Sequence, residues 1–259
     1  MSIKNISHFE KIFNVFAPSN IAPFEYSGII RNSKPKKGEI RKISLALDLT
    51  TESVQKAIKQ KSDLLIVFHA PDELNKEISW HRNIKNLTDG VLILYKAHLR
   101  LNFCSGGVND VLCKICAFNA QPLNFLYDEK YTLAGGIYKV NKNHTLVEVL
   151  KKCKALKSPE IRVYNKKSLR YRYKNILISS GSGFKKELFE QFKPDMIISG
   201  EIKHGIVYLG KEYGTTLIEI THWASEDRPL RKISETLTQI LHTDVSYISL
   251  PLDMQIYIS

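Results

Sequence analysis

Short apolar runs separated by stretches with helical spacing dominate the first half of the chain. After the run at residues 43–48, Val54, Ala57 and Ile58 recur on one helix face, and Thr50 is placed to cap that helix. The same pattern continues to residue 118. It predicts strands over 43–48, 63–68 and 91–95, and further helices over 81–89 and 107–118. This alternation is typical of a mostly parallel sheet covered by helices.

The second half of the chain repeats this pattern. Its predicted strands cover 161–164, 171–179, 195–199, 216–221 and 245–251, and its predicted helices cover 146–153, 185–192, 202–212 and 228–241. Residues 119–131 show neither period and are predicted to be loops. The fold class is therefore α/β, with two related lobes whose mostly parallel sheets are flanked by helices. We expect an N-terminal lobe over 1–125 and a C-terminal lobe over 126–259, with interleaving of the two allowed.

The charge of the chain is strongly positive. Its 259 residues include 38 Lys and Arg against 26 Asp and Glu, a formal net charge of +12. Such an excess favours anionic partners, although a generally lysine-rich proteome gives the same number. The sequence shows no secretory apolar region and no run near the ~20 apolar residues that span a bilayer, so we expect no membrane partner. A cytoplasmic location with reduced cysteines follows as the default expectation.

Polar side chains follow several predicted strands directly. They are His69, His98, Asn102, His222 and Glu226. Ligands of open α/β sheets bind at the carboxyl ends of the strands, and His222 and Glu226 share a face if their segment is helical. Imidazole with carboxylate suits Zn, Mn or Fe, although any one of these histidines alone is more often a hydrogen-bonded structural residue.

Two shorter motifs have competing interpretations. Gly181-Ser-Gly183 lies between a strand and a helix, where it either cradles a phosphate at the helix N-terminus or forms a tight structural turn. Cys113 and Cys116 form one C-x-x-C within a predicted amphipathic helix and lack a second pair. Buried packing is therefore the better interpretation of these cysteines than a zinc site.

A basic stretch interleaved with tyrosines is a candidate nucleic-acid surface. Aromatic rings among cations stack on bases while the cations neutralise phosphates. The same alternation is what a half-exposed strand gives, which is the simpler interpretation. The candidate residues are Arg162, Lys166, Lys167, Arg170, Tyr171, Arg172 and Tyr173.

Motifs along nearly the whole chain, in order, resemble those of one family. In the first half these are residues 46–50 (ALDLT), 68–69 (FH), 97–102 (AHLRLN), 107–110 (GVND) and 135–136 (GG). In the final third they are residues 178–183 (ISSGSG), 194–204 (PDMIISGEIKH) and 221–226 (THWASE). The sequence thus resembles the Nif-three-like family, whose members are commonly called GTP cyclohydrolase 1 type 2 homologues. It is similar to the short form, which lacks an inserted domain.

The resemblance implies two divalent metals in a cleft between the lobes, held by ligands at the positions of Phe68, His69, Asn102, His222 and Glu226. Phe68 has no donor atom, and Asn102 offers a neutral amide where the family has an anion. Two metals about 3.5–4 Å apart need bridging negative charge, and only Glu226 supplies it here. We therefore expect fewer than two metals per chain, with His69, His222 and Glu226 as a one-metal set or an empty site as the limiting case.

Two functions follow from the resemblance. The first is a metal-dependent hydrolase acting on a nucleotide-like substrate such as the purine of GTP, with His98 as an outer partner of the ligands and the candidate catalytic proton carrier. The alternative is a non-enzymatic scaffold that forms a ring of six chains and binds nucleic acid or another acidic partner.

Overall fold

The computed structural model describes residues 3–32, 38–127 and 130–250 of the chain. Its α-helices are α1 (Ile6–Phe16), α2 (Thr51–Lys59), α3 (Ser79–Thr88), α4 (Leu99–Phe103), α5 (Val108–Ile115), α6 (Leu146–Cys153), α7 (Glu187–Phe192), α8 (His204–Glu212) and α9 (His222–Leu241). Its strands are β1 (Gly28–Arg31), β2 (Lys42–Asp48), β3 (Leu64–His69), β4 (Ile93–Lys96), β5 (Ala120–Pro122), β6 (Phe125–Tyr127), β7 (Tyr131–Leu133), β8 (Tyr138–Val140), β9 (His144–Thr145), β10 (Arg162–Tyr164), β11 (Arg172–Tyr173), β12 (Ile176–Ser179), β13 (Met196–Ser199), β14 (Thr216–Glu219) and β15 (Asp244–Ile248). The α/β class predicted from the sequence is confirmed.

The chain divides into two compact units. Within the described residues, the first unit comprises 3–105 and 230–250, and the second comprises 106–229. This division differs from a boundary near residue 125. The end of the chain belongs to the first unit because β15 pairs in parallel with β2. Residues 106–125 belong to the second unit because Leu112, Cys113 and Cys116 of the α5 segment are part of its hydrophobic core.

The first unit contains a five-stranded sheet in the order β1-β4-β3-β2-β15. Its four strands β4, β3, β2 and β15 are parallel, and only β1 runs antiparallel to its neighbour. Buried parallel strands read as continuous apolar runs, which is why the sequence pattern located them. In β3 every residue from Leu64 to Phe68 is buried, and His69 at the carboxyl end is the first one partly exposed.

The second unit contains a six-stranded sheet in the order β10-β14-β13-β12-β8-β5. Only β12, β13 and β14 are mutually parallel, whereas β10, β8 and β5 each run antiparallel to their neighbours. The prediction of a mostly parallel sheet is therefore wrong for this unit. Residues 119–131 also contain β5 and β6 rather than loops alone. Strands of three residues are too short to show a two-residue period, so the sequence pattern missed them.

Reciprocal capping boxes fix the beginnings of α2 and α6. Thr50 Oγ1 accepts from the Ser53 amide at 3.0 Å, while Ser53 Oγ accepts from the Thr50 amide at 2.9 Å, so the predicted cap of α2 is confirmed. Thr145 and Glu148 form the equivalent box at the start of α6. These reciprocal bonds satisfy amides that a helix N-terminus leaves without internal partners.

Helix α9 begins six residues earlier than predicted. The structure places Pro229 inside a helix that begins at His222. Residues 222–227 are polar apart from Trp223 and Ala224, so their apolar spacing did not indicate a helix. The corrected start places His222 and Glu226 on a regular helix. The last predicted strand ends at residue 251, which lies outside the described residues.

All four cysteines are buried free thiols, so the packing interpretation of Cys113 and Cys116 is confirmed. Burial raises the pKa of the Cys113 thiol, which disfavours the thiolate that zinc would require. Across residues 3–32, 38–127 and 130–250, no helix has both the length and the apolar character needed to cross a membrane.

Arg100 on α4 is a buried cation that joins three segments of the first unit. It is 3% exposed, and its Nε donates to the Ala17 carbonyl at 2.7 Å. Its Nη1 donates to the Tyr95 hydroxyl at 2.8 Å, and its Nη2 donates to the Ala17 carbonyl and, at 3.2 Å, to Asn14 Oδ1. The guanidinium also lies over the Phe13 ring, 4.7 Å from its centroid. Burial lowers the pKa of Arg100, and burial raises the pKa of Tyr95 to about 12.

Candidate functional site

The carboxyl edge of the first sheet brings an aspartate and a histidine together. Asp48 ends β2, His69 ends β3, and the two residues are register partners on these neighbouring parallel strands. The Nδ1 atom of His69 lies 2.9 Å from Oδ1 of Asp48. This contact makes Asp48 a partner of His69, a role that the sequence alone did not indicate.

Phe68 and His98 lie beside His69. The Phe68 ring is fully buried, with its centroid 4.9 Å from that of His69 and 4.8 Å from that of His98. The rings of His69 and His98 approach edge to face with centroids 5.1 Å apart. Two histidines and one phenylalanine therefore form an aromatic cluster at this edge, in which only the imidazoles carry atoms able to bind a cation or move a proton.

Glu25 holds His98 and was not found from the sequence. Its Oε1 lies 2.6 Å from His98 Nδ1, and its Oε2 accepts from the Leu99 amide at 2.7 Å. Lys96 Nζ is 3.9 Å from Oε1. Burial alone raises the pKa of Glu25, but the hydrogen bond and charge of His98, the Leu99 amide and the charge of Lys96 outweigh it and lower the pKa overall. No local sequence pattern reveals Glu25, because it lies in a connecting segment 73 residues from His98.

Asn102 lies on α4, one turn after His98, and is 7% exposed. A buried amide requires hydrogen-bonding partners, because burying one without them costs about 1–3 kcal/mol. Asn102 is therefore shielded from solvent and lies in the same unit as His69. Its position shortly after β4 is the one that the sequence predicted.

In the second unit, His222 and Glu226 form a close pair on the first turn of α9. Their Nε2 and Oε2 atoms are 3.3 Å apart, which confirms the predicted shared helix face. The other ring nitrogen, Nδ1, lies 3.0 Å from Oε2 of Glu201, the second residue after β13. Glu226 is 1% exposed. The hydrogen bond to Glu226 raises the pKa of His222 to about 9, with further contributions from the charges of both glutamates that exceed the opposing effect of burial.

The glycine turn after β12 makes room for this pair. Gly181 has a φ of +55°, and a Cβ atom there would lie 2.7 Å from Glu226 Oε1 and 3.2 Å from His222 Nε2. The Gly181 amide donates to Ser225 Oγ at 3.0 Å, and its carbonyl accepts from the Glu201 amide at 2.8 Å. The turn therefore contacts the two segments that carry these three residues, α9 with His222 and Glu226 and the loop after β13 with Glu201, and glycine is the residue that fits at its centre.

The structure supports the tight-turn interpretation of residues 181–183 rather than a phosphate cradle. Helix α7 begins at Glu187, four residues after Gly183, and has only six residues. The face of the turn at Gly181 is occupied by the protein's own carboxylate and imidazole. A phosphate placed against Glu226 would be repelled by its negative charge.

Two short strands carry part of the basic stretch, β10 (Arg162–Tyr164) and β11 (Arg172–Tyr173), and in β11 Arg172 is exposed while Tyr173 is buried. Tyr173 is fully buried and bonds Thr216 through its hydroxyl at 2.9 Å, so it is not available to stack on a base. Arg162 pairs with Glu160 and, at 3.4 Å, with Glu219. Arg172, Lys166 and Arg170 are exposed, and the Lys167 ammonium lies 4.3 Å from the centroid of the partly buried Tyr171 ring. The predicted interface thus loses Tyr173 and has Arg162 partly neutralised.

These observations define a class: an α/β protein whose parallel strands end in histidines and carboxylates of the kind that bind metals. The family follows from comparison with known proteins. The model of the Duf34/NIF3 (NGG1p interacting factor 3) family matches residues 2–253, so the chain belongs to this family. The resemblance seen in the sequence is confirmed.

Curated relatives match the chain along most of its length. It is 29% identical over 254 residues to a Clostridium perfringens protein named GTP cyclohydrolase 1 type 2 homolog, covering 92% of this chain and 92% of the relative. A Methanocaldococcus jannaschii protein of the same name is 29% identical over 256 residues, covering 96% of this chain and 99% of the relative.

Solved structures show the same fold. Reduced HcgD from Methanocaldococcus jannaschii superposes with a TM-score of 0.78 at 23% identity, covering 96% of this chain and 99% of its own. The Thermus thermophilus protein TTHA1606 also gives a TM-score of 0.78, at 20% identity, covering 96% of this chain and 100% of its own. At these identities the likeness establishes the fold.

Proposed function

We propose that the chain binds one divalent metal ion through His222 and Glu226 and acts as a metal-dependent hydrolase on a nucleotide-like substrate. The observation that carries this proposal is the 3.3 Å separation between His222 Nε2 and Glu226 Oε2. Two ligands with bonds of about 2.0–2.1 Å to a tetrahedral metal lie roughly 3.3–3.4 Å apart. The pair thus has the spacing of two ligands of one ion, and the donors suit Zn, Mn or Fe.

We propose His69 and Asn102, both in the first unit, as further candidate metal ligands. His69 Nδ1 is engaged by Asp48, so its Nε2 is the ring nitrogen suited to a metal. Asn102 offers an amide oxygen, a weak neutral ligand compared with a carboxylate. Membership of the family supports both assignments, because the resemblance of residues 68–69 and 97–102 to the family's motifs implies ligands at these positions.

The donor set favours one metal rather than two. Phe68 is a buried ring without a donor at one of the family's ligand positions. Asn102 adds no charge, which leaves Glu226 as the anionic member of the set. A second divalent ion would therefore meet the repulsion of the first without a bridging anion to offset it.

The bound ion would activate a water molecule and polarise the substrate. His98 is the candidate proton carrier at the edge of the first sheet, because Glu25 engages its Nδ1 and leaves Nε2 to exchange protons. The net charge of +12 favours an anionic substrate such as a nucleotide. The names of the curated relatives are consistent with a purine nucleotide.

The proposal is tested by metal analysis and hydrolysis assays on the purified protein. We expect about one Zn, Mn or Fe per chain by mass spectrometry, and metal-dependent release of product when GTP is the substrate. Chelator-treated protein provides the control, and activity should return when the metal is restored. A wild-type protein that neither carries nor takes up a divalent metal would contradict the proposal.

Metal binding is expected to release a proton from His222. The raised pKa, about 9, means that His222 is protonated at pH 7, whereas a metal ligand must be neutral. Apparent affinity should therefore rise about tenfold per pH unit from 7 to 9 and level off above 9. The folding stability of the metal-free protein should change in the opposite direction, falling as the pH rises. The ion pairs of His222 contribute their full stability below about 6.5 and lose it as the pH rises through 9. Calorimetric titration in buffers of different ionisation enthalpy counts the proton, and zero release at pH 7 would contradict this assignment.

Assembly into a ring of six chains and a cytoplasmic location remain predictions. Native mass spectrometry decides the first, with a species of six chains expected. The four free thiols suit the reducing cytoplasm that we propose.

The net positive charge favours the scaffold alternative, whereas the burial of Tyr173 counts against nucleic-acid binding by such a scaffold.

A further inference from the structure

We infer that Asp48 and Glu201 are positioning residues, each of which fixes a histidine so that its Nε2 atom is the one that binds a metal ion. This inference rests on the proposed function. It concerns one histidine in each unit, and it adds to the proposed ligands the carboxylates that contact Nδ1 of those histidines. Each carboxylate lies at the carboxyl end of the strand next to the one that leads to its histidine, and each engages Nδ1.

The contact in the first unit is set by sheet register. Asp48 and His69 are partners across β2 and β3, and the Leu49 amide donates to the His69 carbonyl at 2.9 Å. The backbone of both residues is therefore held, and the 2.9 Å contact between Oδ1 and Nδ1 orients the ring. A carboxylate accepts from a protonated Nδ1, which leaves the Nε2 lone pair for a metal.

The contact in the second unit is built from different elements. Glu201 follows β13, and its amide donates to the Gly181 carbonyl at 2.8 Å. Its Oε2 lies 3.0 Å from His222 Nδ1, while Nε2 of the same ring faces Glu226. The two ring nitrogens thus have distinct partners. Glu201 contacts Nδ1 and so fixes the orientation of the ring, whereas Nε2 lies next to the buried Glu226.

Neither carboxylate is placed where it would mainly stabilise the fold. The Asp48 side chain is 51% exposed and that of Glu201 is 47% exposed. Ion pairs at such exposure contribute little to stability, so stability alone gives little reason for two of them at these strand ends. Orienting a ligand and raising its basicity depends on geometry and charge, which both contacts supply.

Isosteric amides test this inference. Asp48→Asn and Glu201→Gln keep the size of each side chain and remove its charge. We expect each variant to bind Zn²⁺ about 10–100-fold more weakly than wild type, measured by competition with a chromophoric chelator. Glu52→Gln is the matched control, because Glu52 forms an exposed ion pair with Lys56 at 2.8 Å, and its Zn²⁺ affinity should stay within about twofold.

A spectroscopic measurement separates positioning from general support. In histidine-selectively ¹⁵N-labelled, Zn²⁺-loaded wild type, His69 and His222 should show a protonated Nδ1 and a metal-bound Nε2. Glu201→Gln should shift the signals of His222 and leave those of His69 in place, and Asp48→Asn should do the reverse. Thermal midpoints and circular dichroism should match wild type in both variants.

The outcomes separate the two proposals. If wild type binds Zn²⁺ and both variants bind it within twofold of wild type, the inference is overturned and the proposed function stands. If wild type binds no Zn²⁺, the proposed function fails and the inference fails with it. Because the carboxylates lie in different units, poor folding of one variant leaves the other to decide.

Discussion

Replacing His222 with alanine is expected to lower the affinity of the protein for a divalent metal by about 100–1,000-fold. Structural zinc sites are worth about 10–16 kcal/mol, so each of four ligands accounts for roughly 2.5–4 kcal/mol. His222 supplies the imidazole that faces Glu226 and is held by Glu201. Its removal also leaves the buried Glu226 carboxylate without this cation, so some loss of stability should accompany the loss of metal.

A second variant and a control make this result specific. Glu226→Gln keeps the shape of the side chain and should reduce metal affinity to a similar extent, because the anionic member of the set is lost. His204→Ala removes an exposed histidine of α8 and should leave affinity unchanged. Equal metal content in wild type, His222→Ala and Glu226→Gln, measured by mass spectrometry and chelator competition, would disprove the assignment.

Arg100→Ala is expected to lower the free energy of unfolding by about 3–5 kcal/mol. The substitution removes every donor that Arg100 supplies to the Ala17 carbonyl, the Tyr95 hydroxyl and Asn14, and it empties the space over the Phe13 ring. Buried acceptors without donors cost about 1–3 kcal/mol each, and lost packing adds to this. Urea unfolding followed by circular dichroism measures the change.

Arg41→Ala is the matched control for Arg100→Ala. Arg41 pairs with Glu39 at 2.7 Å, and its side chain is 63% exposed, so its loss should cost less than about 1 kcal/mol. Arg100→Lys should fall between the two, because one ammonium replaces a planar group that reaches several acceptors. A cost below about 1 kcal/mol for Arg100→Ala would show that the buried guanidinium contributes little net stability.

The long apolar strands and the capped helices could be predicted from the sequence because their signals are local. The run at residues 63–68 and the cap at Thr50 both depend on neighbours within a few positions. The same reasoning placed His69 and His222 at strand ends, and the structure brings His222 and Glu226 onto one turn of α9. The three-residue strands β5 and β8 could not be found, because pairing across the sheet defines them rather than any period of their own.

The residues behind the site illustrate what local patterns miss. Glu201 directly follows Gly200 after β13, so the strand-end rule that selected His222 applies to it equally and offered a signal. Glu25 gave no such signal, because its role depends on a contact with a residue far along the chain. Tyr173 shows the reverse error. Alternation with arginines suggested a nucleic-acid surface, but the same alternation buries every second side chain of a strand.

The steric restriction at Gly181 predicts which residues should change together among relatives of this protein. A side chain at this position would overlap Glu226 Oε1 and crowd His222 Nε2, so the pair itself adds a requirement for glycine there. In a relative that lacks this pair, a side chain at the position would no longer meet Glu226 and His222. The positive φ of the backbone there would still favour glycine or asparagine. Relatives with a bulky residue at the position equivalent to 181 should therefore be those that have also replaced the equivalents of His222 or Glu226.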